Sequence, residues 1–161
     1  MALALITIHM TGKTHLTLGI LTAMLTTDDA LQLCCLCIGS ILPDIDHPTS
    51  MLGKKVPFIA KLFSHRGFTH SLLFSTLMAF IDIWICYGTI VHIVADMLTK
   101  QGVALLYPIE EKLRLPLAKY VKTGGMFEKF IFFIINVTIL AILYHRISAN
   151  FNITETCLNL F

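Results

Sequence analysis

The 161-residue chain is 56% hydrophobic and only 14% charged, against about 25% charged residues in an ordinary soluble domain. A mean hydropathy of +0.78 excludes a disordered chain, a fibrous chain and a nucleic-acid-binding arm, and so few charges cannot coat a soluble enzyme. The net charge of +2 excludes nothing by itself. The composition leads to an all-α, polytopic membrane helical bundle of about four to five helices, one domain over residues 1–161.

In chain order, the start, MALALITIHMTGKTH, lacks a basic n-region and an obvious small-residue cleavage site, so a cleaved signal peptide is not expected, and Met10 offers a second start. Five apolar segments follow, at about Thr14–Thr26, Ala30–Leu42, Phe68–Tyr87, Thr89–Leu106 and Phe130–Tyr144. The first pair reads as a hairpin with Thr27, Asp28 and Asp29 at its tip. Gly88 splits the third and fourth segments and is expected in a tight turn. Segments one, two and five fall short of the roughly 20 residues of a full span. Asp82 reads as a helix–helix hydrogen-bonding group. Cys34, Cys35 and Cys37 share the apolar run LQLCCLCIG, and with Cys86 and Cys157 they read as small hydrophobes with no zinc-ribbon spacing.

Two polar stretches, PDIDHPTSMLGKKVPFIAKLFSHRG and PIEEKLRLPLAKYVKTGG, hold Lys54, Lys55, Lys61, Arg66, Lys112, Arg114, Lys119 and Lys122. A hairpin of segments three and four puts both stretches on one side, and charge asymmetry makes that side cytoplasmic.

Of seven histidines and ten carboxylates, eight groups gather in four short motifs beside apolar helices. Ionisable groups at such places are expensive and are usually paired or functional. In VHIVAD, His92 and Asp96 lie four apart on one helix face, where an imidazole and a carboxylate can share one ion or simply bond between helices. In ILPDIDHP, Pro43 and Pro48 constrain a turn carrying Asp44, Asp46 and His47. One aspartate can reach an ion while the other caps a helix or serves a second ion. In SHRGFTHS, His65 and His70 bracket Arg66 and Gly67, and Thr69 or Ser71 can start a helix. Arg66 adds a bidentate donor for phosphate or carboxylate, or a basic contact to lipid headgroups. In GKTHLTLG, His15 can complete a second site. Imidazole and carboxylate without thiolate suit zinc, manganese or iron(II) and disfavour calcium.

The stretches THLTLG, LPDIDHP, HRGFTHS and GTIVHIVADMLTKQGVALLYP, in this order from Thr14 to Pro108, resemble the YdjM-type inner-membrane family, described as LexA-regulated metal-dependent hydrolases. That family looks distantly related to the zinc phospholipases C and P1-type nucleases, helical proteins with zinc ions clustered by His and Asp. The resemblance implies hydrolysis, with Asp96 bridging ions, Asp44 and a histidine of HRGFTH completing the first site, and His15 serving the second. After Pro108 the replacements for further ligands are Glu110, Glu111, Glu128 and His145.

The reading that results is a membrane-embedded hydrolase in the bacterial inner membrane, with its site at the cytoplasmic interface and no nucleic-acid partner. His15, Asp44, Asp46, His65, His70, His92 and Asp96 are the expected metal ligands for one or two ions, zinc first. Asp96, Arg66 and His70 are the expected catalytic residues. The substrate would be a lipid or other amphiphile carrying a phosphodiester or another ester. The competing readings are a metal-ion or proton carrier, for which no inverted repeat is visible, and a non-catalytic membrane partner with a structural metal site.

Overall fold

The computed structural model describes residues 12–62, 64–119 and 125–158. The chain start discussed above lies outside them, as do Tyr120 to Gly124. The described residues form helices and turns, with no strand beyond an isolated bridge between Val103 and Leu113. The helices are α1 (Gly12–Thr26), α2 (Ala30–Ile41), α3 (Pro57–Leu62), α4 (Leu72–Ala79), α5 (Ile83–Met97) and α6 (Met126–Leu158).

The α1–α2 hairpin forms at the expected tip. Asp29 caps α2 by accepting from the Gln32 amide at 2.9 Å, which satisfies one of the orphan donors of a helix start.

Gly88 does not make a turn. The break falls at Phe80–Asp82, and α5 runs straight through Gly88. Asp82 sets this break: its carboxylate accepts from the Trp84 and Ile85 amides at 2.8 and 3.0 Å. Asp82, expected to bond between helices, serves here as the cap of α5. Gly88 instead allows two backbones to touch. A β-carbon there would overlap the Leu36 carbonyl oxygen, and one on Gly39 would overlap the Ile85 carbonyl oxygen. Small residues let apolar helices pack at this range.

The remaining segments also differ from their expected bounds. Residues 98–106 leave the helix, with Gly102 at φ 65. The short helix α3 stands where a loop is expected. Cys86 is buried as expected, whereas Cys34 is exposed.

Packing runs α1 on α2, α2 on α5 and α5 on α4, with α6 against α1. On α5 the inward set is Cys86, Thr89, His92, Ile93 and Asp96, and the outward set is Ile83, Tyr87, Ile90 and Val94. Both follow the 3.6-residue period. Helix α6 is fastened to α1 at two levels. Near its start, Thr14 Oγ1 donates to the buried Glu128 at 2.9 Å. Farther along, Arg146 donates to the Met24 carbonyl at 2.6 Å and pairs with Asp28 at 2.8 Å. Residues Met126–Ala149 of α6 have a mean hydropathy of 2.1 and are the one stretch among the described residues long and apolar enough to cross a membrane. Helices α1, α2, α4 and α5, of 15, 12, 8 and 15 residues, are shorter than a full span.

The start of α1, the turn after α2, the turn before α4 and the end of α5 therefore meet at one end of the bundle. The segment after α5 closes it: Leu72 donates to the Leu105 carbonyl at 3.0 Å and Ala104 to the Arg66 carbonyl at 3.1 Å.

Gly88→Ala should destabilise the protein by about 1–3 kcal/mol through overpacking, and Gly88→Val by more. Thermal melting in detergent measures this; an unchanged melting temperature would mean that the α2–α5 crossing is not close-packed.

Candidate metal centre

His15 comes from the first turn of α1, and Asp44 and Asp46 from the 3₁₀ turn Pro43–Asp46. His65 and Arg66 come from the loop before α4, His70 from the 3₁₀ turn Phe68–His70, and His92 and Asp96 from α5. Ser71 caps α4 by accepting from Phe74 at 3.2 Å, so His70 stands just outside that helix. All these side chains are buried except His65, which is partly exposed.

The cluster is built on fixed imidazoles. His92 Nδ1 lies 2.7 Å from the Ser40 carbonyl oxygen. A carbonyl only accepts, so Nδ1 carries the proton and Nε2 of the neutral ring is a bare lone pair. His70 Nδ1 lies 3.2 Å from Asp46 Oδ2 and 3.0 Å from Thr69 Oγ1. Thr69 gives its proton to Asp46, so His70 donates from Nδ1, and its Nε2 faces inward. The two Nε2 atoms are 3.2 Å apart. They stand 3.3 Å (His70) and 3.7 Å (His92) from Asp96 Oδ2. Three electron-rich atoms thus converge where only a proton or a metal cation relieves their repulsion.

A second trio lies next to it. His15 stacks on His92 with ring centroids 3.7 Å apart, and Asp44 Oδ1 lies 3.8 Å from His92 Nε2. His15, Asp44 and His92 offer ligand atoms within 4.8 Å of one another, as do His70, His92 and Asp96, and Asp46, His65 and His70. Buried His15 Nδ1 has no hydrogen-bond partner. An unpaired buried imidazole nitrogen costs about 1–3 kcal/mol, and it suits a metal-binding set.

Arg66 is expected as an anion donor at the site, with a basic contact to lipid headgroups as the alternative. It is 2% exposed, so it is no solvated basic residue of a membrane-facing loop. One terminal nitrogen donates to Asp96 Oδ1 at 2.6 Å and the other to Thr99 at 2.8 Å. Its backbone has φ 62, a conformation costly for a side chain of this size. Its amide bonds to Asp46 and its carbonyl to Ala104 hold it there. Arg66 also lines a cavity of about 80 Å³ with His65, Gly67, Tyr107, Glu110 and Lys112.

Burial raises the pKa of Asp44. Burial also works against ionised Asp46, but hydrogen bonds from His65 and His70 prevail and hold it below the usual carboxylate range. For His70, burial disfavours the cation, yet the Asp46 and Asp96 carboxylates outweigh it and raise its pKa to about 9.

The structure thus brings all seven expected ligands to one end of the bundle. Glu110, Glu111 and His145 are exposed, and buried Glu128 bonds Thr14. Sequence reading missed the Ser40 carbonyl, which no side-chain pattern marks, and Thr99. Thr99 was within reach, since it follows Asp96 by three residues on the same face.

A family profile described as "YdjM inner membrane protein" matches residues 10–158. The uncharacterized protein YvsG of Bacillus subtilis is 36% identical over 141 residues, covering 76% of this chain and 87% of that one. Inner membrane protein YdjM of Escherichia coli is 43% identical over 110 residues, and its Shigella flexneri counterpart is equally similar. The match to these two covers 56% of this chain and 56% of each relative's length. No solved structure matches.

Metal uptake through His70 Nε2 must displace the proton that its raised pKa retains. Affinity for zinc should therefore climb roughly tenfold per pH unit up to about pH 9, then level off. Competition titrations at stepped pH check this, and a flat profile would remove His70 from the ligand set. Replacing His92 and Asp96 together with Ala should abolish binding, read as metal content of the purified protein.

Proposed function

We propose that this chain, which belongs to the YdjM inner membrane protein family, is a membrane-bound, metal-dependent hydrolase. Its substrate is a phosphodiester or another ester in a lipid or amphiphile. The observation that carries the reading is the convergence of His70 Nε2, His92 Nε2 and Asp96 Oδ2, with both rings held inward by partners on their far sides. His15, Asp44, His70, His92 and Asp96 would hold one or two ions, zinc before manganese or iron(II), because the set is imidazole and carboxylate without thiolate. Bound there, such an ion supplies a Lewis acid and a source of hydroxide at neutral pH.

The chain's own groups do the rest. Arg66 balances the charge of Asp96 and fixes its orientation through Thr99. The same residue lines the small cavity beside the cluster, where it would meet the anionic part of a substrate. Lys112 adds a second positive charge at that cavity. Ser40 and Asp46 hold the His92 and His70 rings, so no reorientation is needed when negative charge develops.

The molecule would sit in the inner membrane with α6 crossing it and α1, α2, α4 and α5 embedded beside it. Exposed Phe130, Phe133, Val137, Leu140 and Tyr144 on α6, with Leu73 and Leu77 on α4, support this. The cluster end carries the basic stretches and would face the cytoplasm. A carrier would need ionisable groups along a path through the membrane, whereas these gather at one end.

A screen of phospholipids and phosphodiesters should find turnover that needs the metal. Arg66→Ala should keep the metal but lower kcat/KM by about 10²–10³. Arg66→Lys should recover part of it, since lysine lacks the planar fork. No metal-dependent turnover, together with metal flux in liposomes that depends on His92 and Asp96, would replace the hydrolase with a carrier. A cysteine at Lys55 should resist an impermeant thiol reagent in intact cells; labelling from outside would reverse the orientation.

A further inference from the structure

We infer that Asp46 binds imidazoles and not the ion: it is the outer carboxylate that fixes His70 with Nδ1 protonated and Nε2 turned to the cluster centre. The inference rests on the metal reading above and divides the cluster into groups that touch the ion and a group that aims them.

The three buried aspartates meet different kinds of atom. Asp96 Oδ2 and Asp44 Oδ1 face the Nε2 atoms of the cluster. Asp46 faces donors on every side. Its Oδ1 lies 2.7 Å from His65 Nδ1. Its Oδ2 accepts from the Arg66 amide at 3.1 Å, from the Thr69 hydroxyl, and from His70 Nδ1 at 3.2 Å. Three of these donors crowd Oδ2, which has about two lone-pair sites, and the fourth takes Oδ1.

An ion placed among Asp46, His65 and His70 would have to displace both imidazole protons. It would also have to bind His70 through Nδ1. The Thr69 hydroxyl and the Arg66 amide would stay on the same oxygen and compete with it. Metal-bound histidines commonly give their other N–H to a carboxylate, which fixes the tautomer and raises ligand basicity. Asp46 stands in that relation to His70 as the Ser40 carbonyl does to His92. Asp46 therefore acts as a positioning residue, and through the Arg66 amide it also holds the loop that delivers the guanidinium to Asp96.

The test uses the full chain in detergent, titrated with cobalt(II) and followed by visible absorption. Asp46→Asn should bind as many cobalt ions as wild type, with unchanged band positions and an affinity about 10–100-fold lower. Asp96→Asn should shift the bands or lose an ion. If Asp46→Asn loses an ion, shifts the bands as Asp96→Asn does, or binds with undiminished affinity, the inference fails. Circular dichroism checks that the variant folds. If it does not fold, wild-type protein labelled with ¹⁵N-histidine and loaded with zinc decides. His70 should then show a protonated Nδ1 and a zinc-shifted Nε2, and zinc on Nδ1 would overturn the assignment. Wild-type protein that takes up neither cobalt nor zinc would defeat the metal reading itself, a result distinct from zinc bound in the wrong place.

Discussion

The contact on which the cluster depends is between two backbones. Gly39 and Gly88 let α2 and α5 approach until side chains larger than hydrogen would overlap carbonyl oxygens. That approach brings the Ser40 carbonyl, in the last turn of α2, within 2.7 Å of His92 Nδ1. Were the helices separated by a normal side-chain layer, the imidazole would lose the acceptor that sets its tautomer. Either nitrogen could then carry the proton, and Nε2 would no longer be committed to Asp96. A packing feature of apolar helices, with no charge of its own, thus decides the protonation pattern of a polar site one turn away.

Electrostatics imposes the second condition. Asp44, Asp46, Asp96 and Arg66 are all buried in a chain with very few charges. Isolated burial of any one would cost several kcal/mol. The arrangement avoids that cost by division. Asp46 is neutralised by N–H and O–H donors, and Asp96 is half neutralised by Arg66 through Oδ1. What remains, Asp96 Oδ2 with Asp44 and the inward nitrogens, is electron-rich, and the protein itself offers to it the proton that His70 retains. The strained backbone of Arg66 belongs to the same account, since a left-handed residue is tolerated where its amide, carbonyl and guanidinium are all held.

Much of this was legible in the sequence, and the exceptions have physical causes. The four His/Asp motifs were visible because ionisable residues stand out beside apolar runs, and their order along the chain placed them near helix ends. The α1–α2 hairpin was visible through Asp29, a cap residue before a helix. Gly88 misled because glycine serves both turns and close helix contacts, and only the partner helix decides between them. The true break at Asp82 was hidden by hydrophobic neighbours, Phe80, Ile81 and Ile83, that carry no turn signature. Arg66 was read as a donor to a substrate anion or to lipid headgroups, and not as a partner of Asp96. Its inward course depends on Asp96 and Thr99, some thirty residues later, and no local pattern records such a pairing.

The cluster also has its own place along the chain. Every side chain that builds it lies between His15 and Thr99, whereas α6 begins only at Met126. Helix α6 therefore contributes none of the side chains that gather at the cluster. Its first carboxylate, Glu128, docks on Thr14, the neighbour of His15. The membrane-length helix and the cluster are thus separate parts of the chain, joined through the Glu128–Thr14 contact beside His15.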